Sequence, residues 1–409
     1  MKKSTIITIC AFALGILILS AGFILLTDNN ISNKIFAPKE TTTKAPDPVN
    51  PKDQLNYTHE ETPMKFLTID VTPYVQLGQY KDLDIKVEQV ELLQGQVEMQ
   101  IDILLVQDGE YTKIRENATI ADGTVLNFNY KGYYQKDDGT KGDALSNATG
   151  SDQLAMIDGE TLITIYSDKT STFIEGFAKA MVGKQPGDKF DFAVTFPEVY
   201  HTAELAGKKA IFEIEINYIA QTNISDAWIK KFTSETYSNY VDFYNYIKDA
   251  MTSEIESTNL DILWDTILKN GTIIKIPEQQ LNYIYTVLIA EVDSYVAYSW
   301  YYWGQQLDFE QVLKKLGFAT VKEFDEYVIN YATEIITADL IVSAIIQAEG
   351  LEVTDEEYEL FLAELIEISG KTREEVITQY GGEESIKETL LYTELDKFIV
   401  ENNHYVLAE

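Results

Sequence analysis

The hydrophobic pattern sets the N-terminal stretch apart from the rest of the chain. After Met1-Lys2-Lys3, residues 5–26 carry no charge and show no polar face. About 22 residues rising about 1.5 Å each span about 33 Å, enough to cross a bilayer core. A core helix is a poor fit to a run that starts at residue 5 and is apolar all round. Lys2 and Lys3 are expected to stay inside, which places the remainder outside as a single-pass membrane protein. The rival is a cleaved signal segment, which would make the protein secreted. Ser20-Ala21-Gly22 has the small residues of a cleavage site, but Phe23 to Leu26 carry the apolar run past it. Ile7-Thr8-Ile9 before Cys10 lacks the leucine of a lipidation motif. Residues 28–62, rich in Asn, Thr, Lys and Pro, then read as a polar linker.

Further on the pattern changes twice. Residues 63–120 mix short apolar runs with helical spacing, and residues 90–106 are expected to form a helix leading into the next domain. From 121 to 221 strand signals recur at 125–130, 162–166, 190–195 and 210–218. In the last, Ile211, Glu213, Glu215 and Asn217 alternate with Phe212, Ile214, Ile216 and Tyr218. Turn signals such as Asp137-Asp138-Gly139 and Gln185-Pro186-Gly187-Asp188 separate them, and a short helix is expected at 176–181. The remainder, 222–409, is helical throughout. Ser225, Thr354 and Thr372 are placed to open helices, Pro277 marks another start, and Gly350 and Gly370 mark stops. The expected fold class is α+β, with an antiparallel sheet wrapped on a short helix followed by an all-α domain.

Charge narrows the function. Asp and Glu number 66 against 32 Lys and Arg, giving a net charge of −34. That argues against binding nucleic acid, anionic lipid or the ribosome, whose phosphates call for basic side chains. It also keeps a sticky surface soluble. The 26 tyrosines offer broad rings with a polar handle, suited to touching many partners. The single cysteine, Cys10, leaves no internal disulfide, and His59, His201 and His404 are too scattered to suggest a metal site. No cofactor is expected.

Ordered motifs in the middle of the chain add a specific resemblance. Asn129-Tyr130-Lys131-Gly132, Asp138-Gly139, Thr172-Phe173-Ile174-Glu175-Gly176-Phe177, Met181-Val182-Gly183 and Pro186-Gly187-Asp188 resemble the FKBP-type peptidyl-prolyl isomerase pattern. Thr195-Phe196-Pro197-Glu198-Val199-Tyr200-His201 and Glu204-Leu205-Ala206-Gly207-Lys208 resemble its trigger factor branch, as does Leu77-Gly78-Gln79-Tyr80-Lys81 upstream. Ile274-Lys275-Ile276-Pro277-Glu278 and the segment 349–357 resemble the trigger factor chaperone domain more loosely. The basic ribosome-docking loop of that family is not found, so ribosome binding is not carried over.

The resemblance implies an isomerase domain at 121–221 and a helical chaperone domain at 222–409. It places the catalytic bowl on Tyr130, Asp143, Phe173, Ile174, Phe177, Tyr200 and Phe212, with Leu205 and His201 as further substrate contacts. Twisting an X-Pro amide needs no nucleophile or metal, because the barrier is the loss of C–N resonance. An apolar bowl disfavours the polar ground state relative to the less polar twisted state. Gly142 stands where a wall phenylalanine is expected, which opens the bowl. Read without the resemblance, these large residues are ordinary sheet core.

A run in the helical domain, 295–303, concentrates aromatic residues. At helical spacing Tyr295, Tyr298 and Tyr302 share one face, and Val296, Trp300 and Trp303 another. The run reads either as a buried helix or as an exposed surface that holds unfolded chains. The expected activity is prolyl isomerisation and chaperoning of newly exported, unfolded polypeptides with X-Pro bonds. The alternatives are a catalytically weak holdase on the same scaffold and a surface-displayed binding protein.

Overall fold

The computed structural model describes residues 51–166, 170–200 and 202–408. The expected membrane segment, 1–27, and the linker as far as residue 50 lie outside these residues. Along the chain run β1 (Val75–Gln76), β2 (Asp84–Val87), α1 (Gln96–Gln107), β3 (Tyr111–Ile114), β4 (Val125–Gln135), β5 (Lys141–Asp158), β6 (Thr161–Ile165), β7 (Thr170–Thr172), α2 (Phe177–Met181), β8 (Lys189–Thr195), β9 (Lys209–Thr222), α3 (Asp226–Phe232) and α4 (Tyr240–Asn270). There follow β10 (Thr272–Ile273), α5 (Glu278–Ala297), α6 (Ser299–Trp303), α7 (Phe309–Lys315), α8 (Val321–Glu349), α9 (Asp355–Ser369), α10 (Arg373–Gln379), α11 (Glu383–Glu401) and β11 (His404–Leu407). The fold is α+β, an antiparallel sheet domain followed by helices.

Two compact units divide the chain, one made of 91–252 and the other of 51–90 with 253–408. These divisions differ from the boundaries at 121 and 222 expected from the sequence. The reason is core membership. Phe66, Val71, Val75, Ile85 and Val87 bury into the helical core with Leu263, Ile336 and Ile399. Trp228, Ile229, Phe243 and Ile247 pack with Val97, Ile101 and Leu105 of α1, on the sheet side of the division.

In the 91–252 unit the sheet runs β3-β9-β4-β5-β6-β7, all antiparallel, with β8 also on β9. Strand β9 pairs β4 along one edge and β8, then β3, along the other. Alternation sends Leu126, Phe128, Phe212, Ile214 and Ile216 to one face, where they meet Phe177, Ala178 and Met181 of α2. The other face turns Val125, Met156, Tyr218 and Ala220 to Ile103 and Val106 of α1. Helix α1 starts at Gly95, whose φ of 89° only glycine adopts freely, so it begins later than residue 90.

The second unit is built on α4, α5, α8 and α11. Capping set by sequence holds its helix ends. Thr354 and Thr372 each form a capping box with Glu357 and Glu375, and Gly350 and Gly370 close α8 and α9 at φ 64°. Helix α8 is long and apolar enough to cross a bilayer, but Val328, Ala332, Ile336, Leu340 and Ile345 lie within the protein core. Residues 51–62, expected as linker, instead lie on α5. Leu55 is buried and Tyr57 stacks on Tyr285, with ring centroids 5.5 Å apart. The local composition is polar, but these two apolar side chains suffice to seat the segment.

Candidate functional site

The candidate site is an aromatic cluster where one face of the sheet meets α2. Gly176, at φ 98°, turns the chain into α2 and aims Phe177 inward. Phe177 is 1% exposed. Its ring centroid lies 4.6 Å from Phe173, 4.8 Å from Phe212 and 4.9 Å from Phe192. Tyr130 reaches the same cluster from β4, edge-on to Phe173 at 5.2 Å and to Phe177 at 6.3 Å. Tyr200 joins through Phe196, 5.0 Å away, and Phe196 is 6.4 Å from Phe212. Each such aromatic pair adds about 0.5–1.5 kcal/mol beyond area burial. Tyr130, Phe173, Ile174, Tyr200 and Leu205 are half-buried around this fully buried floor.

Two glycines make the arrangement possible by close approach. A Cβ on Gly150 would stand 2.3 Å from Cε1 of Tyr130, and one on Gly132 would stand 2.8 Å from Cε1 of Phe212. Only bare backbone lets these rings lie across the strands. Burial raises the phenol pKa values of Tyr130 and Tyr200, so both stay neutral hydrogen-bonding groups at working pH.

Other residues named from the sequence are placed differently. Asp143 is exposed on β5, and the buried side chain next along the strand is Leu145, which packs in the aromatic core. A Cβ on Gly132 would also meet Leu145 Cδ1 at 3.0 Å, so Leu145 stands against the wall that Gly142 was expected to leave open. The register between β4 and β5 shifts near Tyr133, and such a shift re-aims side chains in a way no spacing rule reveals. Phe192 and Phe196 were also missed, although apolar residues at every second position from 190 to 196 were a usable signal. His201 lies outside the described residues. The floor is not open: the Phe173 ring stacks at 28° on Phe177. A cleft of about 650 Å³ beside β4, β5, β8 and β9 is lined by Tyr130, Phe190 and Ile214 together with charged side chains. Lys141 there bonds Asp191 at 2.8 Å and also Glu213, while Lys189 pairs with Glu215 at 2.8 Å. Six charged side chains line this cleft, so a proline ring there would face ions rather than the Phe177 and Phe212 floor.

The aromatic run of the helical unit is not one helix. Helix α5 ends at Ala297, and Ser299 bridges the break, donating to the Val296 carbonyl at 2.8 Å and accepting from Leu307 N–H at 3.0 Å. Serine competes well for backbone groups, which is why the turn forms here. The break replaces the two expected faces. Tyr295 and Trp303 pack on the core, while Tyr298, Trp300 and Tyr302 are exposed at 62%, 68% and 51%. Tyr301, not singled out from the sequence, is the most exposed of the run at 83%.

Residues 116–217 match the family of FKBP-type peptidyl-prolyl cis-trans isomerases, and residues 242–401 match the bacterial trigger factor C-terminus. The trigger factor of Macrococcus caseolyticus is 27% identical over 331 residues, covering 79% of this chain and 71% of its own length. That of Halothermothrix orenii is 28% identical over 361 residues, covering 85% and 77%. A solved structure of the trigger factor chaperone, described for promiscuous substrate recognition in folding and assembly, shares 16% identity at a TM-score of 0.31, covering 80% and 72% of the two chains. The chain is thus trigger factor-like, with an FKBP-type isomerase domain and a trigger factor C-terminal domain in that order.

Proposed function

We propose that the protein is a membrane-anchored prolyl isomerase and chaperone that assists exported polypeptides outside the cytoplasmic membrane. The observation that carries the catalytic part is the convergence of Phe177 and Phe212 as floor with Tyr130, Phe173, Ile174, Tyr200 and Leu205 as rim. An X-Pro bond seated there meets apolar rings and the Tyr200 hydroxyl, which is suited to donate to the substrate carbonyl. The aromatic surroundings favour the less polar twisted amide over the planar one. The uncharged run 5–26 behind Lys2 and Lys3 supports the anchor and the outward orientation. The net charge of −34 supports a client-holding role that does not dock on ribosomes or anionic lipid head groups. Secreted chains emerge unfolded, and uncatalysed proline isomerisation takes tens of seconds or more.

One observation favours a second reading, a holdase with weak catalysis. Phe173 covers the Phe177 floor, so a proline ring reaches that floor only when Phe173 turns aside. The test is acceleration of cis-trans isomerisation in a proline tetrapeptide by the full chain. Tyr200→Phe keeps the ring and should lower kcat/KM by about tenfold, the value of one lost hydrogen bond. Phe177→Ala should abolish acceleration, with circular dichroism checking that the sheet persists. Suppression of aggregation without any tetrapeptide turnover by the wild-type chain selects the holdase.

A further inference from the structure

Residues 52–64 form a strap on the helical unit that belongs to no strand or α-helix for most of its length. Three of its side chains go inward, the last being Met64, which packs half-buried against the helical core. Leu55 is buried, and Tyr57 stacks on Tyr285 at 12° between ring planes. Lys52 anchors the upstream end, with Nζ 2.6 Å from Asp293 Oδ2 and 5.3 Å above the Phe309 ring. The other contacts with α5 are made through the strap's main chain. The N–H groups of Thr58, Glu60 and Met64 donate to Asn282 Oδ1 at 3.0 Å, Thr286 Oγ1 at 3.0 Å and Gln280 Oε1 at 2.7 Å. The Thr62 carbonyl accepts from Gln279 Nε2 at 3.2 Å. Helix α5 thus presents a row of amide and hydroxyl side chains, set beside an apolar seat, to the strap's main chain.

Side chains that bond main-chain groups read a peptide's conformation more than its sequence. An extended client offers the same N–H and C=O groups, and two apolar side chains two positions apart would fill the same seats. Gln280 is buried, so whichever chain lies on α5 must supply its donor. The geometry points to a polypeptide-binding groove along α5, occupied here by the chain's own residues 52–64 as a displaceable pseudo-client. The client it fits is a segment with a basic residue, an aliphatic residue one 3-10 turn and three positions on, and an aromatic residue two beyond that. The acidic Asp293 at the upstream end sets the preference for the basic residue. This inference rests on the chaperone reading, and adds where clients bind and what they displace.

Self-occupancy lowers the apparent client affinity by the fraction of molecules with an empty groove. The test uses the full chain in detergent micelles and a reduced, alkylated, permanently unfolded polypeptide read by fluorescence anisotropy. Leu55→Asp/Tyr57→Asp frees the strap, and client affinity should rise by about tenfold. A synthetic peptide of residues 51–64 added in trans should reverse the gain, which a merely unfolded variant would not show. Adding Asn282→Ala/Thr286→Ala to the freed chain should abolish the gain. Unchanged or weaker client binding in the freed variant overturns the groove while leaving the chaperone reading intact. A gain that survives Asn282→Ala/Thr286→Ala, or that the peptide does not reverse, also overturns it. If neither the wild-type chain nor any variant binds the unfolded polypeptide, the chaperone reading and the groove fall together.

Discussion

At the scale of single residues the candidate site is governed by close approach. Gly150 is the clearest case, because a methyl group there would overlap the Tyr130 ring at 2.3 Å. The ring cannot retreat freely, since Phe128 and Phe173 lie 6.0 Å and 5.2 Å from it. Gly150→Ala should therefore cost about 1–3 kcal/mol by overpacking. The cost should shrink when Tyr130 is first replaced by leucine, and urea unfolding of the four variants in the cycle measures that coupling. The same pair of strands marks how far the sequence could be read. Tyr130, Phe173, Phe177 and Phe212 were legible from their motifs and do come together. Leu145 was not legible, because a register shift decides which β5 side chain turns inward, and that shift leaves no trace in composition.

At the scale of elements, the helix termini and the alternating strands followed from local rules. Serine, threonine and glycine act on their own backbone neighbours, so Thr354, Thr372 and Gly350 stood where the sequence put them. The break at Ser299 and the docking of the strap did not follow, since both depend on what a neighbouring element offers. Buried carboxyls on the helices are equally invisible to pattern. Asp396 on α11 is pushed up to about 6 by burial, opposed by the Trp264 Nε1–H bond at 2.8 Å and reinforced by nearby Asp261. Its folded form therefore holds a proton that the unfolded chain gives up near its ordinary value of 3.8. Between those two values the native state binds more protons than the unfolded state, so Asp396 makes stability fall as pH rises from about 4 to about 6. Asp339, pushed up to about 7 by burial, continues the decline toward neutrality. Asp396→Asn keeps an oxygen for Trp264 and removes the titration. Urea midpoints measured against pH should then lie above the wild type at pH 7 and converge with it near pH 4.

At the scale of the whole molecule, the two proposed activities fall in separate units with separate cores. Isomerisation needs a desolvated seat for one ring, whereas holding a client needs broad exposed apolar area kept soluble by charge. The exposed aromatics Trp300 and Tyr301 meet the second need, and 66 carboxylates against 32 basic side chains supply the repulsion that keeps such a surface from self-association. The two functions should therefore come apart by mutation. Trp300→Ser/Tyr301→Ser removes mostly solvent-exposed rings, so its effect on unfolding should stay within about 0.5 kcal/mol. Large aromatic side chains dominate binding surfaces, and losing two of them should weaken suppression of aggregation by about tenfold in the chaperone concentration required. Turnover of a proline tetrapeptide, too short to need a second surface, should be unchanged. Light scattering of a heat-denatured client beside the tetrapeptide assay on the same preparation checks both halves. A parallel fall in both activities would mean that the aromatic run supports the isomerase rather than holding clients on its own account.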